Sequence, residues 1–128
     1  MVVDSSALMA ILMNEPERMD FLARIVADPA CFLSTVSYLE CSMLMFARKG
    51  RAGVDQFDAL LKRLGIELVS ADAPQAVVAR EAFIRFGKGH HPARLNLGDC
   101  FAYALARYAG EPLLFKGNDF SKTDIAVA

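Results

Sequence analysis

The sequence contains no tryptophan, only three cysteines and no long uninterrupted apolar run among its 128 residues. Cys31, Cys41 and Cys100 are odd in number and show neither a CxxC nor a Cys/His spacing, which argues against a disulfide framework and a structural zinc site. No stretch approaches the roughly 18 apolar residues of a membrane-spanning helix, and Asp4 stands where a secretory signal would carry basic residues. These absences predict a soluble, cytoplasmic protein that does not associate with membranes.

The sequence is rich in apolar residues. Hydrophobic residues make up 55% of the chain and charged residues 23%, so the chain can bury a substantial core and is not expected to be disordered. Its length falls in the usual range for one domain, and we therefore expect residues 1–128 to form a single domain. The three cysteines are expected to be small buried hydrophobic residues of that core.

The charges are unevenly distributed although the net charge is only −1. Residues 44–94 carry nine Lys or Arg and five acids, whereas the rest of the chain carries five bases and ten acids. A basic segment suits a polyanionic partner such as a nucleic acid, and the simpler alternative is that surface helices carry solvated charges. The candidates for binding a nucleic-acid backbone are Arg48, Lys49, Arg51, Lys88 and Arg94.

Apolar spacing predicts strands that alternate with helices along most of the chain. Strands are expected at residues 1–3, 31–33, 66–69 and 112–115, with a short fifth strand at 125–127. Helices are expected after Asp4, from Glu15 through Val26, from the Ser34–Ser37 segment to Arg48 with an end at Gly50, and over 54–64, 72–86 and 97–108. This alternation predicts an α/β fold with a mainly parallel sheet of four or five strands covered on both faces by helices.

Four acidic residues occur where such a fold would bring side chains together. Asp4 and Asp119 directly follow predicted strands, and Glu40 and Asp99 are expected in the first turns of helices that begin at the same sheet edge. In parallel sheets ligands bind beyond the carboxyl ends of the strands. The four acids are therefore candidates for one shared site.

Each acid also has a simpler structural interpretation. Asp4 could cap the first helix, and Asp119 could belong to an Asn-Asp turn. The patterns Ser37-x-x-Glu40 and Asn96-x-x-Asp99 resemble capping boxes, in which a carboxylate accepts a hydrogen bond from the backbone of the cap residue.

Carboxylates that share one crevice repel one another unless a cation is bound between them. Oxygen ligands without nearby histidine or cysteine suit Mg²⁺, with Mn²⁺ as an alternative. Mg²⁺ takes one or two carboxylates directly and leaves positions for a phosphate oxygen and a water, which is the chemistry of phosphodiester hydrolysis. Ser6, Ser37 and Asn96 are candidates to orient waters or carboxylates, and Gly98 permits a close approach.

Several segments together resemble one family. Residues 1–8 (MVVDSSAL), the segment Glu15-Pro16-Glu17, Glu40, residues 95–104 (LNLGDCFAYA) and residues 114–120 (LFKGNDF) are similar to the PIN-domain ribonuclease toxins of the VapC type, nearly end to end. The resemblance implies a three-layer α/β/α sandwich and an Mg²⁺-dependent endoribonuclease that is the toxin of a type II toxin-antitoxin system. It also implies a homodimer and a cognate antitoxin whose C-terminal segment enters the active-site groove.

The same resemblance implies that Asp4, Glu40, Asp99 and Asp119 form an acidic metal site supported by Ser6 and Asn96. We expect Asp4 and Asp99 to ligate the metal directly and Glu40 and Asp119 to position water or a second metal. An aspartate-nucleophile phosphohydrolase would need a second acid where Ser6 stands. A catalytically silent PIN-like binding module, whose acids hold only a cation or a partner's arginines, remains open.

Two further segments are interpreted more simply. Residues 87–94 contain two glycines, Pro92 and the pair His90-His91, which predicts a flexible polar loop, and the resemblance favours contact with an RNA backbone there. A helical run is expected to contribute to both the core and a dimer surface through Leu39, Met43, Leu44, Met45 and Phe46.

Overall fold

The computed structural model describes residues 1–128 and contains a four-stranded parallel sheet. Its strands are β1 (Val2–Val3), β2 (Phe32–Ser34), β3 (Glu67–Val69) and β4 (Leu113–Leu114), in the order β3-β2-β1-β4. The helices are α1 (Ser5–Leu12), α2 (Arg18–Ala27), α3 (Thr35–Leu64), α4 (Ala73–Phe86) and α5 (Leu97–Ala109), and a short 3₁₀ turn spans Phe120–Lys122. Parallel strands require crossover connections, which the helices supply. The predicted α/β fold with a parallel sheet is confirmed.

The core is divided by the sheet into two layers of packing. Successive residues of a strand point to opposite faces, so Val3 joins a cluster with α1, α2 and α3, whereas Val2 joins a cluster with α4 and α5. In β4, Leu114 contributes to the first cluster and Leu113 to the second. All four of these side chains are buried. A strand with apolar residues at consecutive positions is therefore covered on both faces, which gives the three-layer α/β/α arrangement.

Helix α3 consists of two helical segments that meet at a kink at Gly50. Gly50 has φ 61° and ψ −152°, which bends the helix, but the helical path resumes at the next residue and continues to Leu64. The prediction that a helix ends at Gly50 is therefore confirmed, whereas the second segment begins earlier than the predicted Val54. A positive φ of this kind is readily adopted by glycine, so the kink needs no separate loop.

Three other local predictions are also corrected. Helix α2 begins at Arg18 rather than at Glu15, and the expected fifth strand is reduced to a single parallel bridge between Val127 and Leu113. Ser37 does not cap α3, because Ser34 accepts the hydrogen bond from the backbone N–H of Val36 at 3.3 Å and the helix begins at Thr35. Glu40 consequently lies beyond the first turn of α3.

The structure also bears on the three cysteines and on membrane-spanning helices. Cys31, Cys41 and Cys100 are free and buried, as predicted for small core residues. No helix has both the length and the apolar character needed to cross a membrane.

Candidate active site

The sheet topology brings the four candidate acids to one edge. Asp4 directly follows β1, and the turn that carries Asp119 follows β4, which pairs with β1 in parallel register. Glu40 lies on α3, which begins directly after β2, and Asp99 lies in the first turn of α5. The negative charges of Asp4, Glu40 and Asp119 all raise the pKa of Asp99, as expected for carboxylates at a common edge of the sheet. The four acids therefore lie at the same edge of the sheet, and their joint role as one site stays a prediction.

Asp4 is the most enclosed of these acids, with only 2% of its surface exposed. Its Oδ2 accepts hydrogen bonds from the backbone N–H of Ser6 at 3.0 Å and from the Ser6 hydroxyl at 2.6 Å. Its Oδ1 is buried and accepts no hydrogen bond. Burial raises the pKa of Asp4, the bonds from Ser6 oppose that shift, and the charge of Glu40 adds to it. Asp4 therefore caps α1 with one oxygen and leaves the other unsatisfied.

Asp99 also uses one oxygen for a structural bond. It forms a capping box with Asn96, whose Oδ1 accepts from the Asp99 backbone at 2.9 Å while Asp99 Oδ2 accepts from the Asn96 backbone at 3.1 Å. Burial is the main cause that raises the pKa of Asp99 to about 7, and the Asn96 bond opposes it. The capping interpretation is confirmed, and because capping occupies only Oδ2, the other oxygen of Asp99 stays free for the predicted site.

Glu40 reaches this site through a close approach to α5. A Cβ atom on Gly98 would lie 2.7 Å from Glu40 Oε2 and 2.9 Å from Glu40 Oε1. Only glycine leaves room for the carboxylate there, because real Cβ atoms do not approach other atoms so closely. A close approach was predicted for the backbone or a phosphate, whereas in the structure the Glu40 side chain makes it.

No cation of the protein neutralises the site. The eight ion pairs of the structure include none of the four acids, although they include acids elsewhere such as Asp55 and Asp124. No group of three or more His, Cys, Asp and Glu side chains is arranged to hold a metal ion. Because Mg²⁺ typically takes only one or two protein carboxylates and keeps several waters, this spacing is compatible with a hydrated ion. The buried, unsatisfied Asp4 Oδ1 and the all-oxygen donor set fit such an ion.

The three predicted supporting residues behave differently. Ser6 bonds Asp4, and Asn96 bonds the backbone of Asp99, as described above. The hydroxyl of Ser37 is buried but has no hydrogen-bond partner, so it orients none of the acids in this structure. Lys116 is a further supporting residue that no sequence pattern predicts, and its backbone N–H donates to Ser6 Oγ at 2.9 Å. No sequence signal marks this contact, because it depends on where the chain runs after β4.

The basic candidates lie in two places. Arg48, Lys49 and Arg51 are exposed around the α3 kink, and Arg51 pairs with Asp55 at 3.2 Å. Lys88 and Arg94 are exposed and make no ion pair. They line an open pocket of about 590 Å³ together with Gly89, His90, His91 and Pro92.

The loop that carries Lys88 and Arg94 is held by specific contacts. His90 Nε2 lies 2.7 Å from the Phe83 carbonyl oxygen at the end of α4, and His91 Nδ1 accepts from the backbone of Ala93 at 3.0 Å. The backbone of Lys88 donates to the Leu95 carbonyl at 2.9 Å and closes the loop. The two histidines therefore have structural roles, and the loop is more ordered than the sequence predicts.

An apolar surface adjoins the acids. Leu39, Met43, Leu44 and Phe46 are exposed on α3, whereas Met45 is fully buried. A groove of about 400 Å³ runs along this surface and reaches Glu40 and Gly98; it is lined by Val36, Leu39, Glu40, Met43, Leu44, Asn96, Leu97 and Gly98. The prediction that this run serves both the core and the surface is correct for the core at Met45, and the occupant of the exposed part stays a prediction.

Comparison with known proteins gives the family. The sequence profile of the PIN domain matches residues 1–126. The chain belongs to the PIN domain family. This PIN domain is also 49% identical over 126 residues to ribonuclease VapC30 of Mycobacterium tuberculosis, with 98% of this chain and 96% of the relative covered. The resemblance to VapC-type PIN domains is therefore confirmed.

Solved structures show the same fold at much lower sequence identity. VapC20 of Mycobacterium tuberculosis, described as a Sarcin-Ricin loop cleaving toxin, superposes on this PIN domain with a TM-score of 0.80 and 18% identity, covering 99% of this chain and 97% of that one. A toxin-antitoxin complex from Klebsiella pneumoniae gives a TM-score of 0.76 and 16% identity, covering 99% and 95%. At these identities the likeness establishes the fold, and the acidic site must be argued from its own geometry.

Proposed function

We propose that this PIN domain is an Mg²⁺-dependent endoribonuclease, with Mn²⁺ as an alternative cofactor, that acts in the cytoplasm as the toxin of a type II toxin-antitoxin pair. The observation that carries the proposal is the buried, unpartnered Oδ1 of Asp4 at a sheet edge where four acids lie and none of them forms an ion pair. The relationship to a ribonuclease at 49% identity supports RNA as the substrate.

Asp4 and Asp99 are the residues proposed to hold the metal, because each has one carboxylate oxygen bonded to the backbone and one that accepts no hydrogen bond. When bound, Mg²⁺ would supply Lewis-acid stabilisation of the negative charge that develops on a phosphodiester. Ser6 holds Asp4 in place through its two hydrogen bonds, and Asn96 holds Asp99 through the capping box. Such outer contacts fix the orientation of ligating carboxylates.

Glu40 and Asp119 are proposed to orient the attacking water or to bind a second metal. Glu40 is half-buried and packs against Gly98, so its carboxylate is confined beside α5. Asp119 is exposed and caps nothing with its side chain, so no structural bond competes for its oxygens. Confinement of an acid next to the reacting groups provides orientation at no further entropic cost.

An RNA backbone needs a basic surface to approach an acidic site. Lys88 and Arg94 are proposed as phosphate contacts, because neither cation forms an ion pair and both line one open pocket. Arg94 is five residues from Asp99, so their Cα atoms are at most about 18 Å apart, which is the reach of an extended chain. Arg48, Lys49 and Arg51 are proposed as a second basic contact further along α3. Neutralising phosphate charges in this way gives salt-dependent binding.

The apolar groove beside Glu40 is proposed to serve protein partners. A cognate antitoxin segment lying in this groove would reach the acids directly, since Glu40 and Gly98 form part of its lining. A likeness to a toxin-antitoxin complex supports such a partner. The exposed side chains Leu39, Met43 and Phe46 on α3 are proposed to contribute to a homodimer, because a helix face of this kind is usually covered.

The proposal is tested by RNA cleavage with and without Mg²⁺, using Asp99→Asn and the matched control Asp72→Asn. Asp72 also caps a helix, where it accepts from the backbone of Gln75 at 3.0 Å, but it lies outside the acidic site. We expect Asp99→Asn to abolish cleavage and Asp72→Asn to retain it. Asp99→Asn should melt no lower than the parent in EDTA, since it removes one of four repelling charges. Metal-independent cleavage, or a fully active Asp99→Asn, would contradict the metal-site assignment and favour a silent binding module or another chemistry.

A further inference from the structure

Lys116 occupies a position where the sheet no longer holds the chain. The last register pair between β1 and β4 is Val3 with Leu114, and Gly117, with φ 99°, follows Lys116 directly. The backbone N–H of Lys116 nevertheless donates to Ser6 Oγ at 2.9 Å. Some contact other than the strand ladder must keep that N–H in place.

The side chain of Lys116 supplies such a contact. Its Nζ forms ion pairs with Glu15 and, at 3.3 Å, with Glu17 Oε2. Both acids belong to the connection between α1 and α2, and all three side chains are half-buried, with 34 to 38% of their surface exposed. The ion pairs therefore tie the end of β4 to the segment that follows α1.

The hydrogen bond from Lys116 also fixes the direction of the Ser6 hydroxyl. A serine hydroxyl has a single hydrogen to donate, and here Ser6 Oγ accepts from the Lys116 backbone and lies 2.6 Å from Asp4 Oδ2. Its hydrogen is thus directed at Asp4 Oδ2, and Asp4 Oδ1 is the oxygen left without a partner. The Lys116 backbone therefore supports one of the two hydrogen bonds that orient the buried carboxylate, and the Ser6 backbone N–H donates the other.

We propose that Lys116 is a positioning residue, whose ion pairs with Glu15 and Glu17 hold its backbone N–H on Ser6 and so present Asp4 Oδ1 to a divalent cation. The inference rests on the proposed function, because it concerns the metal affinity of that same site. Lys116 itself touches none of the reacting groups.

The sign of the effect separates positioning from simple electrostatics. Removing a positive charge near an acidic site should strengthen cation binding if charge alone matters. If Lys116 acts by positioning, removing its ion pairs should weaken cation binding, because the Asp4 carboxylate is then less well oriented. Half-exposed ion pairs contribute little to folding stability, so the melting temperature in EDTA should change little.

The experiment measures Mn²⁺ affinity from the rise in melting temperature across a Mn²⁺ titration, and kcat and KM for RNA cleavage in parallel. Lys116→Met is compared with Lys116→Arg, which keeps the charge, and with Lys122→Met, which removes an exposed lysine that makes no ion pair. We expect Ser6→Ala to weaken Mn²⁺ binding about tenfold, as for the loss of other outer contacts to ligands. Lys116→Met should weaken it several-fold and lower kcat more than it changes KM. Lys116→Arg should keep most of the Mn²⁺ affinity and most of kcat, and Lys122→Met should behave as the parent.

Coupling to Ser6 gives a second test. If Lys116 acts through the hydroxyl, Lys116→Met should cause no further loss of Mn²⁺ affinity in a Ser6→Ala background. Equal or tighter Mn²⁺ binding by Lys116→Met than by Lys122→Met, or fully additive losses with Ser6→Ala, would overturn the positioning role. A parent protein that shows neither a Mn²⁺ shift nor RNA cleavage would instead overturn the proposed function on which the inference rests.

Discussion

Gly98→Ala perturbs the site without removing any functional group. The new Cβ would lie 2.7 Å from Glu40 Oε2 and 3.0 Å from Glu40 Cδ. An ordinary contact is about 3.4 Å, so the carboxylate must move by about 0.7 Å. The displaced atoms are the end of a flexible side chain, which can rotate away without shifting the backbone. The main consequence is therefore a misplaced Glu40.

Stability and activity should change in opposite directions in this variant. Alanine is favoured over glycine within a helix by up to about 1 kcal/mol, and Gly98 lies in the first turn of α5, where the gain is smaller. We expect the free energy of unfolding in EDTA to stay the same or rise slightly. A shift approaching 1 Å in a positioned group can cost about a hundredfold in rate, so we expect cleavage to fall about ten- to hundredfold.

Cleavage of a mixed RNA substrate with Mg²⁺ and urea unfolding in EDTA provide the two measurements. Glu40→Ala is the control background, because the methyl group introduced by Gly98→Ala then meets no carboxylate. Gly98→Ala should have no further effect on the rate of Glu40→Ala. The reasoning is refuted if Gly98→Ala cleaves at the parent rate, if it lowers the rate equally in both backgrounds, or if it destabilises the fold by more than about 2 kcal/mol, a loss typical of core disruption.

Three further predictions address the acids, the basic surface and the C-terminal segment. Mn²⁺ should raise the melting temperature through native-state binding, which contributes about 2.7 kcal/mol at a concentration a hundredfold above Kd, and no shift at millimolar Mn²⁺ would contradict a preformed site. Replacing Arg48, Lys49 and Arg51 together by glutamine should reduce the slope of log affinity for RNA against log salt while leaving the fold intact, and an unchanged slope would exclude them as phosphate contacts. Tyr103→Phe should cost about 1 kcal/mol at pH 7, because the Tyr103 hydroxyl donates to Asp124 at 2.6 Å and thereby lowers the pKa of that carboxyl. This loss of stability should become smaller as the pH falls below 3.8, because Asp124 is then protonated and its lowered pKa no longer favours the folded state. Urea unfolding at pH 7 and pH 3 measures the difference, and an equal loss at both pH values would contradict a hydrogen bond to the ionised carboxylate.

Capping patterns in the sequence were reliable where the geometry is local. Asn96 and Asp99 form the predicted capping box, and Asp4 caps α1, because these bonds join residues two or three apart. The Ser37-x-x-Glu40 pattern was misleading. The chain offers several hydroxyls before α3, and which of them caps the helix depends on where β2 ends, which pairing with β3 decides.

Helix and strand boundaries also depend on both local sequence signals and tertiary packing. The glycine at position 50 was correctly identified as an interruption, but packing of Met45 and Phe57 into one core cluster keeps both halves of α3 together across the kink. The apolar residues near the C-terminus suggested a fifth strand. Only Val127 bridges to Leu113, so the segment contributes one contact to the sheet edge.

The sequence by itself determined the alternation of strands and helices, the parallel sheet, the positions of Asp4 and Asp119 after strands and that of Asp99 in the first turn of a helix, because periodicity and capping act over a few residues. It also carried the resemblance to VapC-type PIN domains through short motifs. Only the tertiary structure decided that Glu40 packs on Gly98, that Asp4 Oδ1 has no partner and that Lys116 bonds Ser6. The first and third contacts join residues 58 and 110 positions apart, and the second observation depends on which groups do not reach Asp4. A local sequence pattern spans only a few residues, so it predicts neither.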